Sequence, residues 1–139
     1  MKSFETHSEE ETIELGRKIA RDLPKRAVVL LIGNLGAGKT MLAKGIIDGL
    51  GAGHPEEVAS PTFTLIHEYA GAYHIDLYRL DTAVQVATLG LDEIFDRDAV
   101  VLIEWGEKFR ELMPAHRIEI TLSADGEHNR KISILKNLE

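Results

Sequence analysis

An early segment of the chain repeats its apolar side chains at nearly helical intervals, at Ile13, Leu15, Ile19 and Leu23. Ser8 precedes this segment, and Glu11 follows Ser8 by three residues, which is the spacing of a helix capping box. Pro24 comes directly after the segment and cannot continue a helix. The pattern therefore predicts a helix over residues 8–22.

Two short runs, residues 27–32 and 99–103, are apolar throughout. Continuous apolar runs of this length are typical of strands that are covered on both faces of a sheet. A helical pattern follows each run, over residues 40–50 with Gly51 as its C-terminal cap and over residues 105–113. Buried strands that alternate with helices predict an α/β fold. We expect a P-loop NTPase-like mixed β-sheet flanked by helices, with three layers in a single domain.

The remaining patterns predict a hairpin or two neighbouring strands over residues 60–69 and 73–79, short helices over 81–88 and 91–95, and a closing hairpin over 117–122 and 131–135. Neither the order of the strands nor any repeat or linker can be derived from these patterns. The chain has 139 residues, which is the size of one domain.

Composition excludes several classes of function. The chain has no cysteine, which rules out disulfide scaffolds, thiolate metal sites and cysteine nucleophiles. Sixteen Lys and Arg stand against 23 Asp and Glu, and a net charge of −7 disfavours direct binding of nucleic acid phosphates. No segment has the ~20 apolar residues of a membrane span, and the N-terminal residues lack the apolar core of a signal peptide. We therefore expect a cytoplasmic protein that binds no membrane.

Residues 33–40, Gly-Asn-Leu-Gly-Ala-Gly-Lys-Thr, match the pattern G-x-x-x-x-G-K-[ST] between a buried strand and a helix. Glycines allow backbone N–H groups to converge on phosphate oxygens, and the following helix directs its positive end at the same anion. Lys39 adds a charge for the β- and γ-phosphates, and Thr40 offers a hydroxyl to Mg²⁺. We predict a nucleotide site here, for ATP, since the chain has no Asn-Lys-x-Asp run to bind guanine.

A P-loop NTPase also needs a carboxylate to hold Mg²⁺ or to orient the attacking water. Glu104 ends the second buried strand and is the first candidate, and Asp76 is the second. His74 alternates with Asp76 onto one strand face and could pair with it as a metal ligand, but we favour a hydrogen-bonded structural histidine.

Three further features leave alternatives open. Residues 60–64, Ser-Pro-Thr-Phe-Thr, are either a switch that senses the γ-phosphate or an ordinary turn and edge strand. Trp105, the only tryptophan, either contacts the nucleotide or packs in the core, which we favour. Arg79 and Arg130 are candidates for reaching a phosphate.

Four motifs in this order resemble the TsaE (YjeE) family of bacterial P-loop ATPases: the loop at 33–40, Ser-Pro-Thr-Phe-Thr at 60–64, His-Ile-Asp-Leu-Tyr-Arg at 74–79 and Ile-Glu-Trp at 103–105. The resemblance extends from about Ser8 to Arg130. It departs at Asn34, where an aspartate is common in the family, which removes a charge beside the phosphates. The closing hairpin carries no sharp family motif.

The resemblance implies an ATPase that is required for threonylcarbamoyladenosine formation in tRNA and acts on the TsaB–TsaD complex, so that tRNA is contacted only indirectly. It places ATP against Glu9, Gly33, Leu35, Gly36, Ala37, Gly38, Lys39, Thr40, Thr62 and Glu104. It implies that Thr40 and Glu104 serve Mg²⁺, that Asp76 lies near the metal or the attacking water, and that catalysis depends on Lys39, Asp76 and Glu104. The alternatives are a small-molecule P-loop kinase and a nucleotide-sensing module without useful catalysis.

Overall fold

A computed structural model describes residues 2–60 and 65–136. Its strands are β1 (Lys2–Thr6), β2 (Ala27–Ile32), β3 (Ile66–Tyr69), β4 (Ala72–Asp76), β5 (Val100–Glu104), β6 (Ile118–Asp125) and β7 (Asn129–Lys136). Its α-helices are α1 (Glu9–Asp22), α2 (Lys39–Gly49), α3 (Ala83–Ala87) and α4 (Leu91–Phe95), and 3₁₀ turns cover Pro55–Glu57 and Gly106–Leu112. No helix in this part of the chain is long and apolar enough to cross a membrane.

The strands form one seven-stranded sheet in the order β1-β7-β6-β2-β5-β4-β3. The four central strands, β6, β2, β5 and β4, are parallel, and the outer strands β3, β7 and β1 pair in the antiparallel direction. The predicted mixed sheet is therefore confirmed. Because β2 and β5 lie at its centre, both of their faces are covered, which is why these runs are apolar without alternation.

Two hydrophobic clusters lie on opposite faces of the sheet. Val29 and Leu31 of β2 face the cluster that contains α1 and α2, whereas Val28 and Leu30 face the cluster that contains α3, α4 and the 3₁₀ turn. The same alternation in β5 separates Leu102 from Ile103. The predicted arrangement of helix, sheet and helix layers is thus present.

Helix α1 begins as its sequence pattern predicts. The Ser8 hydroxyl accepts a hydrogen bond from the Glu11 amide at 3.1 Å, and Leu23, directly before Pro24, has extended backbone after the last turn. The C-terminal end of α2 likewise meets expectation, because Gly51 has a φ of +73° just beyond it.

Helices α1 and α2 approach each other at a spacing that only glycine allows. A Cβ on Gly45 would lie 1.9 Å from the Ile13 carbonyl oxygen, and one on Gly16 would lie 2.5 Å from that of Leu42. The two helices therefore pack backbone against backbone. This packing fixes the N-terminal end of α1 beside the loop that precedes α2.

Several predicted boundaries are wrong. The strand predicted over 60–69 covers only Ile66–Tyr69, with residues 61–64 outside the described ranges, and the strand predicted over 73–79 ends at Asp76. It ends there because the Asp76 side chain accepts the Tyr78 amide and the chain turns back through a hydrogen bond from the Leu80 amide to the Leu77 carbonyl.

Two more differences concern the segment after β5 and the first strand of the chain. The helix predicted over 105–113 is a 3₁₀ turn with a kink at Phe109, whose φ of −135° is not helical. Strand β1 has no counterpart among the sequence predictions, because it is a mostly exposed edge strand that pairs with β7, near the other end of the chain.

Candidate functional site

The carboxyl ends of three adjacent parallel strands form the site. Leu31 of β2 and Asp76 of β4 are both register partners of Glu104 in β5. The Gly-rich loop leaves β2 at this edge, so loop and carboxylates meet where ligands bind in open α/β sheets. Asp76 and Glu104 are 28 residues apart in the sequence. The parallel pairing of β4 with β5 brings their side chains together.

The loop has the backbone that phosphate binding requires. Gly36 and Gly38 have φ values of +81° and +101°, in the left-handed region that disfavours a side chain. Helix α2 begins at Lys39 directly after Gly38, so its first N–H groups point toward the loop. The arrangement is a concave set of amides suited to an anion.

Lys39 is buried inside this loop. Its Nζ donates to the Gly33 carbonyl oxygen at 2.7 Å and lies 3.7 Å from the centroid of the Trp105 ring. Burial lowers the pKa of Lys39 from its usual value, although the negative charges of Glu104, Glu107 and Asp76 oppose this change. The lysine therefore supplies a desolvated positive charge, which interacts with an anion more strongly than an exposed charge does.

Glu104 is buried and accepts two hydrogen bonds on one oxygen. Its Oε2 accepts the Thr40 hydroxyl at 3.3 Å and lies 2.6 Å from Nε2 of His74. His74 is therefore a hydrogen-bonded histidine, as favoured from the sequence, and its bond is to Glu104. A threonine hydroxyl beside a carboxylate offers the hard oxygen ligands that Mg²⁺ prefers.

Asp76 has different partners. Its Oδ1 accepts the Tyr78 amide at 2.8 Å, and its Oδ2 accepts the Ser60 hydroxyl at 3.4 Å. Ser60 is the first residue of the segment 60–64 that was predicted to be a switch or a turn, and the rest of that segment, residues 61–64 including Thr62, lies outside the described ranges.

The loop and both carboxylates line a cleft of about 450 Å³. Predicted site residues that line it are Glu9, Leu35, Gly36, Ala37, Gly38, Lys39, Thr40, Asp76 and Glu104. Arg130 also lines it, and its side chain packs over Gly38, with Nε 3.5 Å from the position of a Cβ there. Although the net charge of the chain is −7, two of its cationic side chains, Lys39 and Arg130, lie at this cleft.

The sequence did not identify several residues of this cleft. Ser8 and Thr12 reach it from α1, Tyr78 follows β4, and Glu127 and His128 come from the turn between β6 and β7. Tyr78 lies in the motif at 74–79 but was not assigned to the site. The other four residues carry no site motif, because they reach the cleft only through the packing of α1 and the position of β6 beside β2. Within this hairpin the sequence named only Arg130, near the start of β7, as a candidate for reaching a phosphate.

Two predicted residues lie elsewhere. Gly33 does not line the cleft: its carbonyl holds Lys39, and a Cβ there would lie 2.5 Å from the Leu122 carbonyl oxygen. Arg79 does not line the cleft either.

Trp105 packs in the core, as favoured from the sequence, and it also lies at the cleft, whereas its contact with a nucleotide stays a prediction. It packs against the cluster on the α3 and α4 face, and it also lines the cleft, where Tyr78 lies 5.0 Å from it between ring centroids. Its φ of +66°, unusual for a residue with a side chain, turns the backbone sharply after Glu104. This turn lays the indole ring against Lys39, so that core packing is only part of its role.

The chemistry of the cleft, not its size, marks it as the candidate site. A larger cleft of about 940 Å³ lies at the opposite edge of the sheet, where β2 and β6 begin, and none of the predicted site residues lines it. Within residues 2–60 and 65–136 no group of three His, Asp or Glu side chains could hold a metal ion. A cation between Thr40 and Glu104 would therefore take most of its ligands from phosphates and water, as Mg²⁺ commonly does.

Known proteins resemble the chain along nearly all of its length. Residues 6–132 match the family model described as "Threonylcarbamoyl adenosine biosynthesis protein TsaE". A tRNA threonylcarbamoyladenosine biosynthesis protein TsaE from Treponema pallidum is 37% identical over 132 residues, with 93% of this chain and 96% of that protein covered. Its counterpart from Rickettsia conorii is 38% identical over 135 residues, with 94% and 76% covered. Among solved structures, Bacillus subtilis YdiB matches with a TM-score of 0.78 and 32% identity, covering 99% of this chain and 86% of that one.

Proposed function

The chain belongs to the TsaE family, whose role is in tRNA threonylcarbamoyladenosine biosynthesis, and from this premise we propose that it supplies Mg²⁺-dependent ATP hydrolysis to that modification. The single observation that carries the proposal is the contact of Thr40 with Glu104. It places a P-loop hydroxyl and a buried strand-end carboxylate 3.3 Å apart, directly beside Lys39.

The loop and Lys39 bind the phosphates in this proposal. Amides of residues 35–40 converge around Gly36 and Gly38, and they donate to phosphate oxygens without hindrance from side chains. The Lys39 ammonium then exchanges the Gly33 carbonyl for oxygens of the β- and γ-phosphates. This exchange is favourable because a charged phosphate oxygen is a stronger acceptor than a carbonyl.

Thr40 and Glu104 would hold the metal ion, and Asp76 would orient the attacking water. Mg²⁺ at this position supplies neutralisation of charge on the β- and γ-phosphate oxygens. We assign the ligand role to Glu104 because it contacts Thr40, and the water role to Asp76 because Ser60 and the Tyr78 amide hold it in a separate position. Catalysis then rests on positioning and electrostatic stabilisation, which dominate phosphoryl transfer.

The nucleotide is ATP in this proposal, since the chain lacks an Asn-Lys-x-Asp run. Glu9, Glu127 and His128 also line the cleft, and we propose that they lie toward the nucleoside. Four carboxylates, those of Glu9, Asp76, Glu104 and Glu127, line the same cleft, so a polyanion binds well only together with a metal cation.

We propose the TsaB–TsaD complex as the protein partner, in line with the family resemblance, and the cytoplasm as the compartment. With a net charge of −7 the chain is poorly suited to bind tRNA itself, and it reaches the modification through its partners. A small-molecule kinase would need an acceptor pocket beside the γ-phosphate, whereas the second cleft lies at the far edge of the sheet.

The test is to measure ATP hydrolysis by the purified chain with and without TsaB–TsaD, and to measure threonylcarbamoyladenosine formation in tRNA by the complete mixture. We expect slow hydrolysis by the chain alone, clear stimulation by the partners, and a requirement for Mg²⁺. Glu104→Gln should abolish both activities, and the matched control Glu111→Gln, which removes an exposed carboxylate from the same region, should leave both unchanged. Hydrolysis that is independent of Glu104 would remove this residue from the mechanism.

A further inference from the structure

His74 is buried without any exposed surface, and only one of its ring nitrogens has a partner. Nε2 lies 2.6 Å from Oε2 of Glu104, whereas Nδ1 has no hydrogen-bond partner. An unsatisfied buried polar atom costs about 1–3 kcal/mol. His74 is the register partner of the apolar residue Leu102 in the interior of the sheet. An apolar side chain at position 74 would avoid the cost of the unsatisfied nitrogen.

The bond to Glu104 is the compensating interaction. A carboxylate only accepts hydrogen bonds, so the hydrogen lies on Nε2 of the imidazole, and Nδ1 keeps a lone pair. Charge-assisted hydrogen bonds of this kind are about twice as strong as neutral ones. The buried imidazole of His74 therefore uses its one N–H group to hold the carboxylate of Glu104 in a fixed orientation.

This bond leaves one oxygen of Glu104 available to a ligand. Oε2 lies next to both the Thr40 hydroxyl and Nε2 of His74, and Oε1 has no hydrogen bond within residues 2–60 and 65–136. Glu104 lines the cleft, whereas His74 does not. His74 thus acts on the site only through the carboxylate.

From this geometry we propose that His74 is a positioning residue that fixes Glu104 in the orientation required to bind a divalent cation with the nucleotide. The proposal rests on the proposed function and adds a residue that does not contact the nucleotide. Partners of this type that orient a metal ligand typically contribute about 10- to 100-fold to metal affinity or activity.

The variants for the test are His74→Leu, which removes the donor, and His74→Gln, whose amide nitrogen can replace Nε2 as a donor to Glu104. His67→Leu is the matched control, because His67 is the register partner of His74 on β3 and does not line the cleft. Thermal unfolding identifies which variants are folded. Trp105 fluorescence then measures two quantities. The first is the affinity for ATP in EDTA, and the second is the Mg²⁺ concentration that gives half of the metal-dependent change in emission at a fixed ATP concentration.

We expect His74→Leu to raise the required Mg²⁺ concentration about 10- to 100-fold, with ATP affinity in EDTA unchanged. His74→Gln should recover most of this loss, and His67→Leu should behave as wild type. In a Glu104→Gln background, His74→Leu should have no additional effect on Mg²⁺ dependence, because the two residues act as one unit.

Three results would overturn the proposal. A folded His74→Leu protein with wild-type Mg²⁺ dependence, equal losses in His74→Leu and His74→Gln, or a full effect of His74→Leu in the Glu104→Gln background would each show that His74 does not position the carboxylate. A wild-type chain that binds no Mg²⁺-ATP would instead refute the proposed function, and the positioning role with it.

Discussion

The ammonium of Lys39 lies 3.7 Å from the centroid of the Trp105 ring and simultaneously donates to the Gly33 carbonyl oxygen. A desolvated cation over an indole ring is stabilised by about 2 kcal/mol. The lysine that the sequence motif assigns to phosphate is therefore held in place by an aromatic side chain from the neighbouring strand end. This relationship links phosphate binding to the strand that carries Glu104.

Trp105 should report nucleotide binding directly. It is the only tryptophan in the chain, and phosphate oxygens that draw Lys39 from its present partners change the electrostatic environment of the indole. We expect ATP titration to change the intensity or wavelength of tryptophan emission. Lys39→Met should abolish the change. Unchanged emission under conditions where calorimetry detects ATP binding would contradict the predicted coupling.

Lys39→Ala should weaken ATP binding while the fold is retained. Each charge-assisted hydrogen bond contributes about 1.5–3 kcal/mol, so we expect a loss of at least about tenfold in affinity. Isothermal titration calorimetry measures the loss, and circular dichroism checks the fold. Lys18→Ala, a substitution on the exposed surface of α1, is the matched control. If a folded Lys39→Ala protein bound ATP as tightly as wild type, Lys39 would not bind phosphate and the assignment of this loop as a phosphate site would be refuted.

Gly45→Ala should destabilise the protein through the contact of α1 with α2. The new Cβ would lie 1.9 Å from the Ile13 carbonyl oxygen, so the helices must separate. Overpacking of this kind costs about 1–3 kcal/mol or more, which outweighs the gain of about 0.5–1 kcal/mol from replacing a helical glycine. Urea unfolding measures the difference. Gly53→Ala is the control: its new Cβ would lie 3.3 Å from a ring carbon of Tyr69, and this variant should lose clearly less stability than Gly45→Ala.

Glu119 should make the protein sensitive to acid. Burial alone would raise the pKa of Glu119, but hydrogen bonds from Arg117 and Arg110 outweigh it and hold the pKa below its usual value. A carboxyl with a lowered pKa stabilises the fold above its unfolded-state pKa, and this contribution is lost as the pH falls through its folded-state pKa. At pH 7 we expect Glu119→Gln to be less stable by about 1–3 kcal/mol.

Urea unfolding between pH 3 and pH 7 checks the prediction for Glu119. The difference between wild type and Glu119→Gln should begin to shrink as the pH falls below the ordinary glutamate pKa of about 4.3, where the unfolded-state carboxyl binds protons, and it should disappear once the folded-state carboxyl is protonated as well. Glu111→Gln, at an exposed position on the 3₁₀ turn, should follow the wild-type curve. A constant difference over the whole range would exclude the ion pair as its source.

The sequence predicted correctly those features whose interactions lie within a few neighbouring residues. Residues 33–40 contain the glycines and the lysine that a phosphate loop needs, and their position between an apolar strand and a helix is visible in the sequence. Ser8 and Glu11 likewise specify the start of α1 through a bond between near neighbours. The end of β4 was misplaced because a side-chain bond from Asp76 to the Tyr78 amide competes with continuation of the strand.

By itself the sequence determined the central strands, the phosphate loop and the two candidate carboxylates, because apolar runs and glycine spacing act over a few residues. Only the tertiary structure decided which side chains meet. Pairing of β4 with β5 brings His74 and Glu104 into contact, and the position of β6 and β7 brings Arg130 over Gly38. Strand order depends on how whole faces are buried against each other, and that is a property of the folded chain which no local pattern contains.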